Sequence, residues 1–441
     1  MKKVLPLLLV LIITACNTFS YAVNETNVND SLELSAESAI LINADTGEIL
    51  YSKDPYKKMF PASTTKILTA IIAIENSSLS EKVIIDNETI NGIDGSHIAL
   101  EPGEVLSMKD LLYALLIESA NDAAVAIARH ISGSVENFSK LMNEKAAKIG
   151  AKNSNFLNPN GLPNENHTTT AYDLAMIGKY AMENETFRKI VSNYTYTIEP
   201  TNKKSDPRIM NSSNKLLYSQ NKIDVDGVSV PIKYDGINGV KTGYTQVAQQ
   251  CLVSSVNRDN QKYISVVLHS IGSNVYVDTH KLFNYGFTSY KPTKIASKNE
   301  FVDNISIKSG SSPFITSVFA DDLYATVPIG KNLNIEKEFI PIKDIKPPIS
   351  KGQVVGKVTF KADNKVIGSM DVISKTDIHS SVSVVQKSLD FLFSKWWFWL
   401  ICSFIFLRLY VGILRVSRRM KKLKRRKFRK NHITIIDTKV L

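Results

Sequence analysis

Pro61-Ala62-Ser63-Thr64-Thr65-Lys66-Ile67-Leu68-Thr69-Ala70-Ile71-Ile72-Ala73-Ile74 is the stretch on which the reading of this chain turns. Pro61-Ala62 stops whatever precedes it. The run from Ile67 to Ile74 is apolar on every side, the pattern of a helix buried all round. Ser63 therefore stands where a core helix begins, beside backbone N–H groups that lack partners within the helix. That end of a helix favours negative charge. Lys66 is one turn further on and shares the face of Ser63. A serine hydroxyl is a poor nucleophile until a base removes its proton. A lysine serves as that base only when burial or a neighbouring cation lowers its pKa. Taken alone, Ser-x-x-Lys is equally a serine cap followed by a surface lysine, so the reading needs more than this motif.

Two further triplets follow in order. Ser107-Met108-Lys109-Asp110 has the form of a capping box and opens an apolar helix through Leu111, Leu112, Leu115 and Leu116. The pattern breaks at Glu118-Ser119-Ala120-Asn121, which contains the triplet Ser119-Ala120-Asn121, and resumes as Ala123-Ala124-Val125-Ala126-Ile127-Ala128. Polar groups at a junction between two buried helices must find partners or line a cleft; a plain cap by Asn121 is the simpler alternative. The third triplet, Lys241-Thr242-Gly243, opens a strand-rich stretch. Residues 250–256 and 263–268 read as strands, with Arg258-Asp259-Asn260 as the hairpin loop between them. Gly243 on such a strand lets a ligand approach the backbone, although a solvated lysine on an edge strand fits the same letters.

Together the three triplets resemble the active site of the penicillin-recognising serine enzymes, and specifically of the D-alanyl-D-alanine carboxypeptidases among the low-molecular-weight penicillin-binding proteins. The likeness includes the residues between the triplets. Residues 39–50, with a turn at Asp45 to Gly47, resemble the family's opening strand hairpin. Asn158-Pro159-Asn160-Gly161-Leu162, the stretch from His167 to Ala175, and Asn211 to Leu217 resemble its connecting segments. Two positions depart from the family pattern: Asn160, where His is frequent, and Gln249-Gln250, where a Gly-containing pair is frequent. Asn160 reads as a loop substitution of little effect, Gln249-Gln250 as a pair able to alter substrate preference, and neither as touching a catalytic position.

The resemblance implies an α+β fold: a β-lactamase/transpeptidase-like catalytic domain, with an antiparallel sheet and a helical cluster, over residues 35–290. A small all-β domain over 293–376 and a C-terminal transmembrane helix follow. It implies Ser63 as nucleophile on the carbonyl between two terminal D-alanines, Lys66 as its base and Ser119 as proton relay to the leaving D-alanine. Asn121 holds the peptide amide. Lys241 and Thr242 bind the terminal carboxylate, Gly243 lets the substrate edge approach, and the N–H groups of Ser63 and Tyr244 receive the oxyanion. Lys241 also helps depress the pKa of Lys66. The chemistry implied is serine-type D-Ala-D-Ala carboxypeptidase action on peptidoglycan stem peptides, with β-lactams as inhibitors and no metal or other cofactor. The rival readings are a β-lactamase built on the same serine chemistry and a non-catalytic wall-binding scaffold. An intact Ser63, Lys66, Ser119 and Lys241 argue against the scaffold.

The net charge of +12 over 441 residues looks like a nucleic-acid signal until it is located. Eleven of the sixteen residues 415–430 are Lys or Arg, and the rest of the chain is near neutral. We therefore expect no nucleic-acid partner. The basic tail, 415–441, follows an apolar run over 396–414 that only Arg408 interrupts. Those nineteen residues are close to the ~20 needed to span a bilayer. Trp396, Trp397 and Trp399 fit an interfacial belt, and the positive-inside rule puts the tail in the cytoplasm and the catalytic part on the wall side. A helix lying on the membrane surface is the competing geometry. At the other end, Lys2-Lys3 and the apolar run 4–13 read as a signal peptide, 1–22, cleaved after Ala22. Ile13-Thr14-Ala15-Cys16 is also compatible with a lipoprotein box. Residues 377–395 form a juxtamembrane linker, and Cys251, on an expected core strand, reads as an apolar filler.

Overall fold

A computed structural model describes residues 32–331, 333–381 and 391–436. The expected signal peptide, with Cys16 and Ala22, lies outside the described residues, as does much of the expected linker.

The first compact unit is built on a five-stranded antiparallel sheet. Its strands are β1 (Ser38–Asn43), β2 (Ile49–Lys53), β3 (Ile237–Thr245), β4 (Gln249–Arg258) and β5 (Gln261–Ser270). Their order is β2-β1-β5-β4-β3, which leaves the strand of the third triplet at an edge. The β1–β2 turn forms where expected: Asn43 Oδ1 accepts from the N–H groups of Asp45 and Thr46, and Gly47 takes φ +78°. The β4–β5 connection is tighter than the sequence implied. Asp259 and Asn260 both sit at positive φ, 54° and 60°, which carries the strands through a two-residue turn that Asn and Asp tolerate.

Helix α1 (Lys66–Asn76) is buried along Lys66 to Ala73, as its uniformly apolar sequence requires. Helix α2 (Met108–Tyr113) opens with the capping box: Ser107 Oγ accepts from Asp110 N–H, and Asp110 answers to the Ser107 N–H. It continues as one π turn, Ala114–Glu118, and stops at Ser119. Helix α3 (Asn121–Ser132) follows at once. These helices and α4 (Ala171–Glu183) share one apolar core with the inner face of the sheet, including Ile40, Val253 and Ile264. The opposite face packs against α5 (Asn274–Ser289) through residues such as Leu41, Val267 and Phe283. Cys251 is buried on β4, and burial pushes its thiol up to about 12, which makes it a packing residue and not a reactive one.

The all-β part is a second five-stranded sheet, formed by Phe301–Ser306, Phe314–Phe319, Lys365–Ser374, Val354–Ala362 and Ile335–Pro341 in that spatial order. Alternating burial along 354–362 gives it an inner and an outer face. Helix α6 (Trp396–Ile436) is 41 residues long. It is long and apolar enough to cross a membrane, and it runs on without a break into the basic residues that the sequence reading treated as a separate tail.

Candidate active site

Ser63 lies in a 3₁₀ turn, Ala62–Thr65, and not in the first turn of the α-helix, which begins at Lys66. The cause is local. Ala62 is held at φ +48°, a strained conformation for a residue with a side chain, and Thr64 Oγ1 donates to Pro61 O at 2.7 Å. The tighter turn still sets Lys66 one turn beyond Ser63.

Lys66 is fully buried, and its Nζ has three partners: Ser63 Oγ at 2.9 Å, Asn121 Oδ1 at 2.6 Å and Asn160 O at 2.7 Å. A carbonyl and an amide oxygen only accept. In a neutral amine, which has two hydrogens and one lone pair, those two oxygens take both hydrogens. The lone pair is left facing the Ser63 hydroxyl. Burial drives the Lys66 pKa well below the ordinary lysine value; the charge of Lys241 adds to this, and Asp122 opposes it. The expectation that Lys241 helps was correct in direction, but burial is the larger cause.

Ser119 ends the π turn at φ +67°, and this reversal lets α3 start at Asn121. Asn121 does three things at once. Its Oδ1 holds Lys66, its Nδ2 donates to Asp94 O, and its backbone N–H donates to Ser96 O at 2.7 Å. Asp122 next to it accepts from the N–H groups of Ile98, Leu100 and Ala123. The second triplet thus faces the Ser63–Lys66 pair and also clamps the loop 94–100. A cap role for Asn121 alone does not describe it.

The third triplet reaches Ser63 from the sheet edge. A Cβ on Gly243 would stand 3.0 Å from Ser63 N and 3.1 Å from Pro61 O, so the turn and the strand approach as closely as a glycine allows. Lys241 is buried, donates to Thr242 O at 3.0 Å, and has its pKa lowered to about 7 by burial against the opposing charge of Glu118. Thr242 Oγ1 and Ser213 Oγ are 2.6 Å apart. Tyr244 is 58% exposed and pairs across the ladder with Gln250.

These groups meet at a cavity of about 730 Å³ lined by Ser63, Ser119, Asn121, Thr242, Gly243 and Tyr244 from the three triplets. Residues that sequence reasoning had not assigned complete its wall: Asp94 to Ser96, Glu118, Ser213, Lys215 and Tyr276. Gln250 also lines it, as its place beside the substrate edge implied. Lys66 and Lys241 lie buried next to it. The expectation that Asn160 touches no catalytic position is corrected here, through its backbone carbonyl. Asn160 is 5% exposed, lines the cavity, and its carbonyl is one of the three partners of Lys66. No side-chain pattern announces a backbone acceptor. The neighbouring Asn-Gly pair was the one available signal, since Gly161 sits at φ +85° against the turn that carries Ser63.

Comparison with known proteins gives the family. A family model described as D-alanyl-D-alanine carboxypeptidase matches residues 24–271, and one described as penicillin-binding protein 5, C-terminal domain, matches residues 290–380. The D-alanyl-D-alanine carboxypeptidase DacF of Bacillus subtilis is 33% identical over 387 residues, covering 86% of this chain and 95% of the relative. DacA of Haemophilus influenzae is 28% identical, covering 84% and 90%. Among solved structures, penicillin binding protein 5 from Haemophilus influenzae superposes with a TM-score of 0.58 at 28% identity, over 79% of this chain and 99% of that one. The carboxypeptidase DacD from Francisella tularensis gives 0.54 at 25% identity, over 79% and 95%.

Proposed function

This chain belongs to the D-alanyl-D-alanine carboxypeptidase family, and from that premise we propose that Ser63 carries the reaction as an acyl-enzyme nucleophile on stem peptides ending in D-Ala-D-Ala. Lys66 Nζ takes the Ser63 hydroxyl proton as Oγ bonds to the penultimate carbonyl carbon. The oxyanion that develops faces the N–H groups of Ser63 and Tyr244. The C–N bond then breaks, and the leaving D-alanine nitrogen receives the proton by way of Ser119. Water hydrolyses the acyl-serine, returning the Ser63 hydroxyl and the shortened peptide. Asn121 orients the peptide amide, Lys241 and Thr242 take the terminal carboxylate, and Gly243 gives the substrate backbone room at the strand edge.

The observation that carries this reading is the environment of Lys66. Two pure acceptors and full burial leave the lone pair of a neutral amine aimed at Ser63 Oγ, 2.9 Å away. Penicillin, which mimics the dipeptide, should acylate the same oxygen and hydrolyse slowly. Intact-mass spectrometry should find one long-lived adduct that is absent in Ser63→Ala. Rapid turnover of the drug would favour a β-lactamase, and an adduct that survives in Ser63→Ala would remove Ser63 from its role.

The remaining assignments belong to the same proposal. Residues 35–290 are the catalytic domain, 293–376 a β-rich module and 396–414 a membrane span. The basic residues 415–441 are cytoplasmic and the catalytic domain is on the wall side. A signal peptide over 1–22 directs export. The apolar stretch of α6, none of it buried, supports the anchor.

A further inference from the structure

Between the second and third triplets, the segment Phe156 to His167 loops over the nucleophile turn. It delivers two carbonyls to α1: Pro159 O accepts from Thr69 Oγ1 at 2.6 Å, and Asn160 O accepts from Lys66 Nζ at 2.7 Å. One side chain closes this loop. His167 is 1% exposed and stands edge-on to the Phe156 ring. Its Nδ1 accepts from the Leu157 N–H at 3.1 Å, across the base of the loop. Its Nε2 lies 3.0 Å from Thr65 Oγ1, and Thr65, fully buried, directly precedes Lys66.

The tautomer follows from these partners. The Leu157 N–H only donates, so Nδ1 carries no proton. An imidazolium would set two hydrogens against each other there. The ring is therefore neutral, with its hydrogen on Nε2 and directed at Thr65 Oγ1. Burial agrees, lowering the His167 pKa to about 4. One ring thus ties the base of the loop to the residue next to the catalytic base, and the loop so tied presents the Asn160 carbonyl.

We propose that His167, as the Nε2–H tautomer, is a positioning residue for acylation: its bond to Thr65 fixes the nucleophile turn against the loop. In that arrangement the Asn160 carbonyl holds one hydrogen of Lys66 and the lone pair points at Ser63. The inference rests on the assignment of Ser63 and Lys66 as nucleophile and base. His167 touches no substrate, so its loss slows acylation without weakening capture.

Two near-isosteres separate the two bonds of the ring. Gln places a donor amide where Nε2 stands and loses the Nδ1 acceptor; Asn places an acceptor where Nδ1 stands and cannot reach Thr65. The full chain and its His167→Gln, His167→Asn and His167→Leu variants are acylated with benzylpenicillin. The saturating rate and the half-saturating concentration are measured alongside thermal unfolding. Formation of the Ser63 adduct in the unmutated chain tests the underlying assignment separately, so its failure is distinguishable from failure of this inference. A displaced base costs up to about 100-fold in rate. We expect His167→Leu and His167→Asn to lose about 10- to 100-fold in saturating rate, with half-saturation within about twofold. His167→Gln should recover most of that loss. Recovery by Asn and not by Gln would reduce His167 to a loop anchor and overturn the proposal, as would wild-type rates in all three. Thr65→Val guards against variants that fail to fold. It leaves the loop anchor intact and removes only the acceptor, so it should slow acylation, and a wild-type rate in folded Thr65→Val would also overturn the proposal.

Discussion

Gly161 lies directly against Ala62: a Cβ built on Gly161 would stand 1.8 Å from the Ala62 carbonyl oxygen. Both residues have left-handed backbones, φ +85° and +48°. The loop that offers a carbonyl to Lys66 and the turn that carries Ser63 are thus fitted backbone to backbone. Gly161→Ala forces one of them to move. The left-handed conformation alone costs a non-glycine residue roughly 1–2 kcal/mol, and the backbone clash adds to that. We expect Gly161→Ala to lower the melting temperature by several degrees and to slow penicillin acylation by more than the stability loss explains. A variant that acylates normally would show that the two segments are not in register in the working enzyme.

The two buried lysines should give the reaction a bell-shaped pH dependence. Lys66 must be neutral to accept the Ser63 proton, so acylation falls as pH drops through its lowered pKa. Lys241 must be charged to attract a carboxylate. Its pKa near 7 means that capture by the free enzyme weakens as pH rises through about 7. The alkaline limb of kcat/KM therefore belongs to Lys241 and should vanish in Lys241→Ala, which is slower throughout. Stability follows with the opposite sense. From about 7 up to the ordinary lysine value of 10.5, the unfolded chain binds a proton that native Lys241 has released. Unfolding free energy consequently rises with pH over that window. Urea denaturation at several pH values checks this sign.

Lys66→Ala should abolish acylation and leave a folded protein, because it removes the amine bonded to Ser63 Oγ and leaves a small polar cavity. Stopped-flow acylation with a chromogenic β-lactam is the measurement. Near-normal rates would identify another base.

Ser213 and Thr242, both lining the cavity, share a hydrogen bond, 2.6 Å between hydroxyl oxygens. Ser213→Ala frees the Thr242 hydroxyl from its fixed orientation. A hydrogen bond of this kind contributes about 1 kcal/mol, so KM for a D-Ala-D-Ala pentapeptide should rise several-fold with kcat little changed. An equal fall in kcat would instead place Ser213 in the transition state.

The parts of this site that can be read from sequence are those carried by side chains in local order. Ser63 and Lys66 share a turn, Ser119 and Asn121 interrupt two apolar runs, and Lys241 to Gly243 lie on a strand. The capping box at Ser107 and the strands around Cys251 and Ile264 were legible for the same reason: periodicity and caps are local signals. The parts that could not be read depend on backbone atoms or on contacts distant in sequence. The Asn160 carbonyl has no letter of its own. Ser213 meets Thr242 only once the sheet edge is folded. Left-handed Ala62 and Ser119 run against their residue types and are imposed by the packing around them. The continuation of α6 to Ile436 was missed because charge was read as a boundary, although Lys and Arg are good helix formers.

The C-terminal helix gives the last test. Its apolar part, from Trp396, has no buried residue and is exposed along most of its length. The residues that line the cavity all fall between Ser63 and Tyr276. Deleting 396–441 should therefore release a soluble protein with unchanged kcat/KM on a free pentapeptide. Activity on intact wall should fall, since tethering raises the local concentration of enzyme near its substrate. In sealed cells, protease added outside should cut before Trp396 and leave the basic residues after Leu414 protected, as the excess of Lys and Arg on the inner side requires. Digestion of the basic segment from outside would replace the spanning helix by one lying on the membrane surface. Loss of activity on the free pentapeptide would show that the deleted helix supports the catalytic domain.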